Sequence, residues 1–383
     1  MSLYDPEDER RIRLQARVRE WTKSGLLDPE QGAVLEVELR VDVRRTNVFL
    51  RAGLALFTVL IIAASVMLTL ELLDLNRPIP TAITTALAAV LCLLLAQYFV
   101  VRQRFYRFGV EEALAAGSIA LMATSAIALT YAQTQSSPGN APMVAGLLVG
   151  AAGGFGIYWR FGYVYAVIGA LVCAASVPFQ LELRETIRCA LAAAALAGAF
   201  VVARSRRTRY HDEYPGDDYA LIQAAAWAGL YLTLNLRLRS PTIEGPFYWF
   251  TYAAIWTLPI AGIYLGTRDK DRALLDVSLV MALVTLLTNK AYLGWPHHAW
   301  DPIVLGVFLM ATAIAVRRWL SSGANAQRAG FTASRILSKE TGAVTMLGNA
   351  SARLHPEGPA FPDGGSGGFD GGRSGGGGAT GSY

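Results

Sequence analysis

Charge is scarce in this chain. Asp, Glu, Lys and Arg make up 16% of its 383 residues, against 53% in the apolar set, and the mean hydropathy is +0.35. A soluble domain carries nearer one quarter charged residues, so the composition argues against a single water-soluble globule. Cysteine is scarcer still. Cys92, Cys173 and Cys189 all fall inside apolar runs. An odd count with no regular spacing makes no disulfide framework, and the three are expected to pack as small hydrophobes. The histidines, His211, His297, His298 and His355, form no zinc pattern, and His-Glu-x-x-His, Walker A and a strand-borne Gly-x-Gly-x-x-Gly are absent. No catalytic, cofactor-binding or metal-binding residue stands out, so no cofactor is expected and the chain reads as a non-enzyme.

Long apolar runs are what the chain has in abundance. A membrane-crossing helix needs about 20 mostly apolar residues, and ten segments come near that length: 48–70, 79–101, 114–131, 142–158, 161–178, 187–202, 219–236, 247–265, 273–290 and 302–320. Segments 142–158 and 161–178 are short and separated only by Trp159 and Arg160, which fits either a tight hairpin or one broken, re-entrant unit. The fold class expected is all-α, a polytopic transmembrane bundle of about ten spans.

Arginine placement tests that count independently of hydropathy, because short cytoplasmic loops are rich in Lys and Arg. With the amino terminus inside, sixteen basic residues fall on inner flanks. These are Arg44, Arg45, Arg51, Arg102, Arg104, Arg107, Arg160, Arg204, Arg206, Arg207, Arg209, Arg268, Lys270, Arg272, Arg317 and Arg318. Six fall on outer loops: Arg77, Arg184, Arg188, Arg237, Arg239 and Lys290. Dropping any one span reverses the later loops and spoils the match. The localisation expected is therefore a bacterial cytoplasmic (inner) membrane, multi-pass, with both termini cytoplasmic. Trp159, Trp249, Trp295, Trp300 and Trp319 near the segment ends fit an interfacial aromatic belt.

Four regions follow: a cytoplasmic helical hairpin over 1–47, the bundle over 48–320, a short cytoplasmic linker over 321–350, and a disordered Gly/Ser-rich tail over 351–383. No basic-then-apolar stretch with a small-residue cleavage site opens the chain, so no signal peptide is expected. In the hairpin, Leu14, Val18 and Trp21 share a helical face, Gly25 ends the first helix, and Asp28 and Pro29 start the second. Val37, Leu39, Val41 and Val43 alternate with charge as in a strand, yet a lone strand would have unpaired backbone groups, so helix is expected through this stretch. The pair is expected to fold back on itself or to lie on the bundle through Trp21 and its valines. In the linker, Phe331, Ile336 and Leu337 mark a short amphipathic helix over 331–339. Eleven glycines between Gly364 and Gly381, with Arg373 as the single arginine, suit a tether and not a nucleic-acid tail.

Buried charge within a span is costly and usually functional, and the ten segments hold little of it. Asp276 is shallow and one turn from Arg272, which makes an ion pair the simplest role and a place in an inward-facing vestibule the alternative. Gln223, Asn235 and Asn289 lie near span ends, while Thr124, Ser125, Ser176 and Thr251 are expected to bond their own helices. The fourth segment carries Gly146, Gly150, Gly153, Gly154 and Gly156, whose spacing suits close helix packing. Ten spans also divide into two fives, as in carriers with inverted repeats, which sets this helix against the one bearing Asp276 and Asn289. His297 and His298 beside Asp301 are the only cluster resembling a reactive site, and no nucleophile or third ligand accompanies them.

The run Trp21-x-x-x-Gly25-Leu-Leu-x-Pro29-x-Gln31, followed closely by the first span, resembles a family of uncharacterised bacterial integral membrane proteins. These begin with a helical domain of unknown function ahead of a polytopic bundle. The resemblance implies no activity, cofactor or catalytic residue. Two function classes remain: a non-catalytic protein that anchors or organises a cytoplasmic partner through its hairpin or tail, or a carrier or pore for a neutral or amphiphilic small solute. The partners expected are the lipid bilayer, a protein, or such a solute, and no nucleic acid.

The topology has a direct test. Of two variants, Arg206→Cys and Gln135→Cys, an impermeant thiol reagent applied to intact cells is expected to label only the second. Labelling confined to the first reverses the assignment.

Overall fold

The computed structural model describes residues 3–4, 6–23, 25–44, 46–75, 77–134, 139–209, 217–238, 245–296, 298, 300–322, 327–328 and 331–332. Among these it is an all-α, multi-spanning bundle. Two amino-terminal helices, α1 (Pro6–Lys23) and α2 (Pro29–Glu38), precede ten more. The next five are α3 (Val48–Leu72), α4 (Pro78–Val101), α5 (Val110–Gln133), α6 (Ala141–Phe161) and α7 (Val164–Gln180). The last five are α8 (Glu185–Arg209), α9 (Asp217–Leu234), α10 (Pro246–Arg268), α11 (Arg272–Leu293) and α12 (Asp301–Ser321).

Seven of the described helices are long and apolar enough to cross a membrane: α3, α4, α5, α6, α8, α11 and α12. Helix α7 is apolar but only 17 residues long. The expected break between the fourth and fifth segments is a change of helix, with α6 and α7 meeting at Gly162 and packing on each other. The carboxyl-terminal residues from 333 onward lie outside the described residues. Phe331–Thr332, expected to open an amphipathic helix, pairs instead antiparallel with Gln327–Arg328.

Two buried cores meet on α7. One gathers Cys92, Ala96 and Val100 of α4, Leu114 and Ala115 of α5, Ile157 and Phe161 of α6, then Tyr163 and Ala166. The other runs from Val167 and Leu171 of α7 through Cys189, Leu196 and Phe200 of α8 to α9, α10 and α11. None of the three cysteines forms a disulfide, with Cys92 and Cys189 buried and Cys173 half-buried.

The first core depends on small side chains. A Cβ at Gly154 would lie 2.6 Å from the Ala166 carbonyl oxygen and 2.8 Å from the Ala170 Cβ, so α6 and α7 are nearly in backbone contact there. At Gly150 the nearest atom would be Cys173 Sγ, at 3.2 Å. Leu148, on another face, is 53% exposed.

The chain just ahead of α1 is bonded to the bundle. Leu3 N–H donates to the Arg160 carbonyl at 2.8 Å, and the Tyr4 and Tyr163 hydroxyls are 2.9 Å apart. Ile12 and Val18 are buried, whereas Trp21, Val34 and Val37 are exposed. Arg19 donates to Glu36 to join α1 to α2, and Asp28, at the start of α2, makes no side-chain cap. The expected helix over the alternating valines stops at Glu38. Beyond it the chain turns irregular, and Arg44 makes an isolated parallel β-bridge to Phe105 of the α4–α5 loop. Arg44 N–H donates to the Arg104 carbonyl, and Tyr106 N–H to that of Arg44.

Glycine contacts on α6 rank two substitutions. Gly→Ala gains about 1 kcal/mol of helix propensity, while overpacking a tight contact costs about 1–3 kcal/mol. Gly154→Ala, meeting an immovable backbone oxygen, should lower thermal stability in detergent. Gly150→Ala, meeting a thiol that can turn, should be neutral or better. Equal effects would misplace the α6–α7 contact.

Candidate functional site

Three polar regions need explanation, because an apolar surround penalises any polar group left without a partner. The first lies at the arginine-rich end, where α3, α5, α9 and α11 begin and α4, α6, α8 and α10 finish. Helix α5 starts one turn earlier than its apolar run, which brings Glu111 and Glu112 into its first turn. Acidic groups are favoured there by the exposed N–H groups and the helix dipole. Glu111 is fully buried and accepts from Phe108 N–H at 2.6 Å. Glu112 receives both arms of Arg51, a bidentate pair. Gly109 makes this geometry possible, since its φ is +108° and a Cβ there would collide with the Arg51 carbonyl oxygen.

A second pair repeats the arrangement. Asp271 caps α11 by accepting from Leu274 N–H at 3.2 Å and is bound by Arg207, with only 1% of its side chain exposed. Arg204 reaches Asp269 at 2.7 Å alongside. Helix α8 extends to Arg209, well past its apolar run, and so carries both arginines to the α10–α11 turn. Tyr4 plugs the same end between Tyr163 and the Tyr106 ring, and burial pushes its hydroxyl well above the ordinary phenol range, so it stays neutral.

The second region is a seam between α9, α10 and α11. Gln223, Trp227, Tyr231 and Asn235 recur every four residues and form one face of α9. All four are buried. Opposite them on α11 stand Ser278, Thr285, Thr288 and Tyr292. Tyr231 and Thr285 share a hydroxyl bond of 2.8 Å, and Asn235 Nδ2 donates to Tyr231 and Thr288. Pro259 has no N–H for the Ile255 carbonyl one turn earlier in α10, and Thr285 Oγ1 lies 2.8 Å from that freed oxygen. At the far end, the Tyr292 hydroxyl accepts from Leu236 N–H at 2.7 Å, Tyr248 donates to the Tyr292 carbonyl, and Arg237 donates to Tyr248. Tyr252 donates to Asn289.

The third region is the Trp295–Asp301 loop, where His297 lies outside the described residues. Asp301 spends one oxygen on Lys290 Nζ at 2.6 Å and the other on His298 N–H at 2.9 Å. It thus holds the start of α12, and its bond from His298 comes from the backbone and not from the ring. Asp276 is 3.6 Å from Arg272 with 62% of its side chain exposed, the simple pairing expected of it. Thr124, Ser176 and Thr251 bond their own helices as expected, whereas Ser125 crosses to the Ala82 carbonyl of α4. Among the described residues, no three His, Cys, Asp or Glu side chains are grouped so as to hold a metal ion.

Hydropathy does not mark Glu111, Glu112 or Asp271, and of the α9 column it marks only Gln223 and Asn235 as polar, although the four-residue spacing is legible in the sequence. Compared with known proteins, the chain matches no protein-family model, no curated protein and no solved structure.

The ion pairs give the sharpest mutational contrast. Removing one partner of a buried pair costs about 3–5 kcal/mol, because the other charge is stranded. Asp271→Ala also loses a helix cap, so it should markedly lower the unfolding temperature in detergent. Asp276→Asn, at an exposed pair, should leave it within error. A similar effect of both would mean that Asp271 is not buried as described.

Proposed function

We propose that this chain is a non-catalytic protein of the bacterial inner membrane that organises a cytoplasmic protein partner at a platform made by α1 and α2. In this reading α3–α12 are ten spans and the arginine-rich end faces the cytoplasm. The observation that supports it is an apolar surface in an unusual place. Val34 and Val37, one turn apart on α2, are 67% and 75% exposed, and Leu26 before them is 69% exposed. They sit on a helix outside the spans whose neighbour α1 is tied to the bundle by Leu3 and Tyr4 just before it and by the Tyr106 hydroxyl, which donates to Glu9. A rigid mount that presents aliphatic side chains to water suits a protein partner better than it suits a free-standing terminus.

A photo-crosslinking amino acid at position 34 or 37, introduced in living cells, should yield one defined adduct. Val34→Glu combined with the crosslinker at position 37 should abolish that adduct at unchanged membrane abundance. A crosslinker that reacts only with lipid removes the platform reading.

The alternative, a carrier or pore for a neutral or amphiphilic small solute, has its own observation. A groove of about 380 Å³ runs along α5, α6 and α7, lined mostly by small apolar residues such as Ala120, Gly146, Gly150 and Gly169, with Tyr165 among its walls. Its shape and lining suit an apolar chain.

A further inference from the structure

The seam on α9 satisfies most of its polar groups and leaves a specific few. Gln223 is fully buried, and neither its Oε1 nor its Nε2 meets a partner among the described residues. Trp227 Nε1 and Asn235 Oδ1 are likewise buried without one. These atoms belong to three of the four residues on one face of α9. The fourth, Tyr231, is fully bonded between them. A single orphaned atom would carry little weight. Four orphaned atoms on one helix face, at a repeat of four residues, share one cause.

The local chemistry narrows what that cause is. The Trp227 indole can only donate, Asn235 Oδ1 can only accept, and the Gln223 amide does both. Ser278 Oγ donates to the Leu274 carbonyl at 2.7 Å, which leaves its lone pairs open. Gly262 faces Trp227 Nε1 and Ser278 Oγ together, and a Cβ at that position would collide with both. No cation is called for, since no carboxylate lies among these groups, and no anion, since no arginine or lysine does. What fits is a small neutral molecule that donates and accepts in equal measure and can serve two to four partners, as internal water does.

We propose that the α9–α10–α11 seam holds bound internal water at two stations, one served by Gln223, Trp227 and Ser278 and one by Asn235 and Thr288. The two stations lie on either side of the Tyr231–Thr285 bond. They line up between the Arg207–Asp271 pair at one end of the seam and the Arg237–Tyr248–Tyr292 cluster at the other. This inference is independent of both functional readings given above. It makes the seam a hydrated interior in a bundle whose other core is closed by small, aliphatic and stacked aromatic side chains.

Radiolytic hydroxyl-radical footprinting of the full-length protein in lipid nanodiscs tests it, because radicals formed from bound water oxidise the nearest side chains. With rates corrected for intrinsic reactivity, Trp227 and Tyr231 should be modified several-fold faster than Phe161, which is 1% exposed in the other core. Gln223→Leu should bring the Trp227 rate down while leaving Phe161 unchanged. Rates at Trp227 and Tyr231 no higher than at Phe161 mean a dry seam and overturn the proposal. So does a Trp227 rate that Gln223→Leu does not alter. Should that variant fail to fold, deuterium exchange of the Trp227 indole N–H in the wild-type protein decides. Ultraviolet resonance Raman can isolate this signal by difference against Trp227→Phe. Exchange within the mixing time is expected, and retention of the proton over hours overturns the proposal.

Discussion

An apolar surround leaves a polar group no solvent to fall back on, and the architecture follows from that constraint. Two acidic helix starts at the arginine-rich end are each met by an arginine. Glu112 is met by Arg51 from α3, and Asp271 by Arg207 from α8. The freed carbonyl before Pro259 is met by Thr285 from α11. In each case the partner comes from a different helix, so local satisfaction fixes long-range geometry. The ion pairs act at the rim and the Pro259–Thr285 contact in the middle, which holds α8, α10 and α11 in register at more than one height.

The two cores use different means of cohesion. Around α4, α5, α6 and α7 the contacts are those of alanine, glycine and aliphatic chains together with the stacked rings of Phe161, Tyr163 and Tyr165, and close-range dispersion is a main attraction between lipid-embedded helices. Around α9, α10 and α11 the contacts are hydroxyl, amide and phenol groups bonded across helices. Helix α7 belongs to both, offering Ala166 to the first core and Val167 to the second. At 17 residues it is also the shortest of the ten helices α3–α12. A short helix between two differently glued cores has little surface to spare, which is why its small residues face α6 so closely.

Much of the fold was legible in the sequence, because alternation of long apolar runs with arginine-bearing breaks reports directly on what hydrocarbon tolerates. Helix ends were less legible, and for a physical reason. Hydropathy marks where charge begins, whereas a helix continues as long as its backbone bonds are favourable. Thus the run ending at residue 202 continues as helix to Arg209, and the run beginning at residue 114 has its helix start at Val110. Glu111, Glu112, Arg204 and Arg207 all lie in those overlooked turns, so the ion pairs were missed together. The α9 column was missed for another reason. Trp and Tyr count as apolar in any composition tally, so a face alternating Gln223, Trp227, Tyr231 and Asn235 reads as hydrophobic with two polar blemishes. The β-bridge at Arg44 before α3 depended on a partner in the α4–α5 loop, which no local pattern records.

Polar satisfaction also explains which helices stay at the margin. In the central windows of α3 and α12 no residue is buried. Their threonines are satisfied within the helix. Thr58 and Thr69 bond carbonyls of α3 itself, and Thr312 bonds one of α12. With no hydrogen bond to seek elsewhere and no difference between a leucine and a lipid tail to drive association, such a helix gains little by entering the interior. Each one carries an ion pair in its first turn, Arg51 of α3 to Glu112 at the arginine-rich end and Asp301 of α12 to Lys290 at the opposite end, and α3 also lays Ile62 against Gly117 of α5. The bundle is therefore ordered by polar demand. Helices with groups that need partners form the two cores, and the two that bond their own threonines lie outside, each with a charge pair in its first turn.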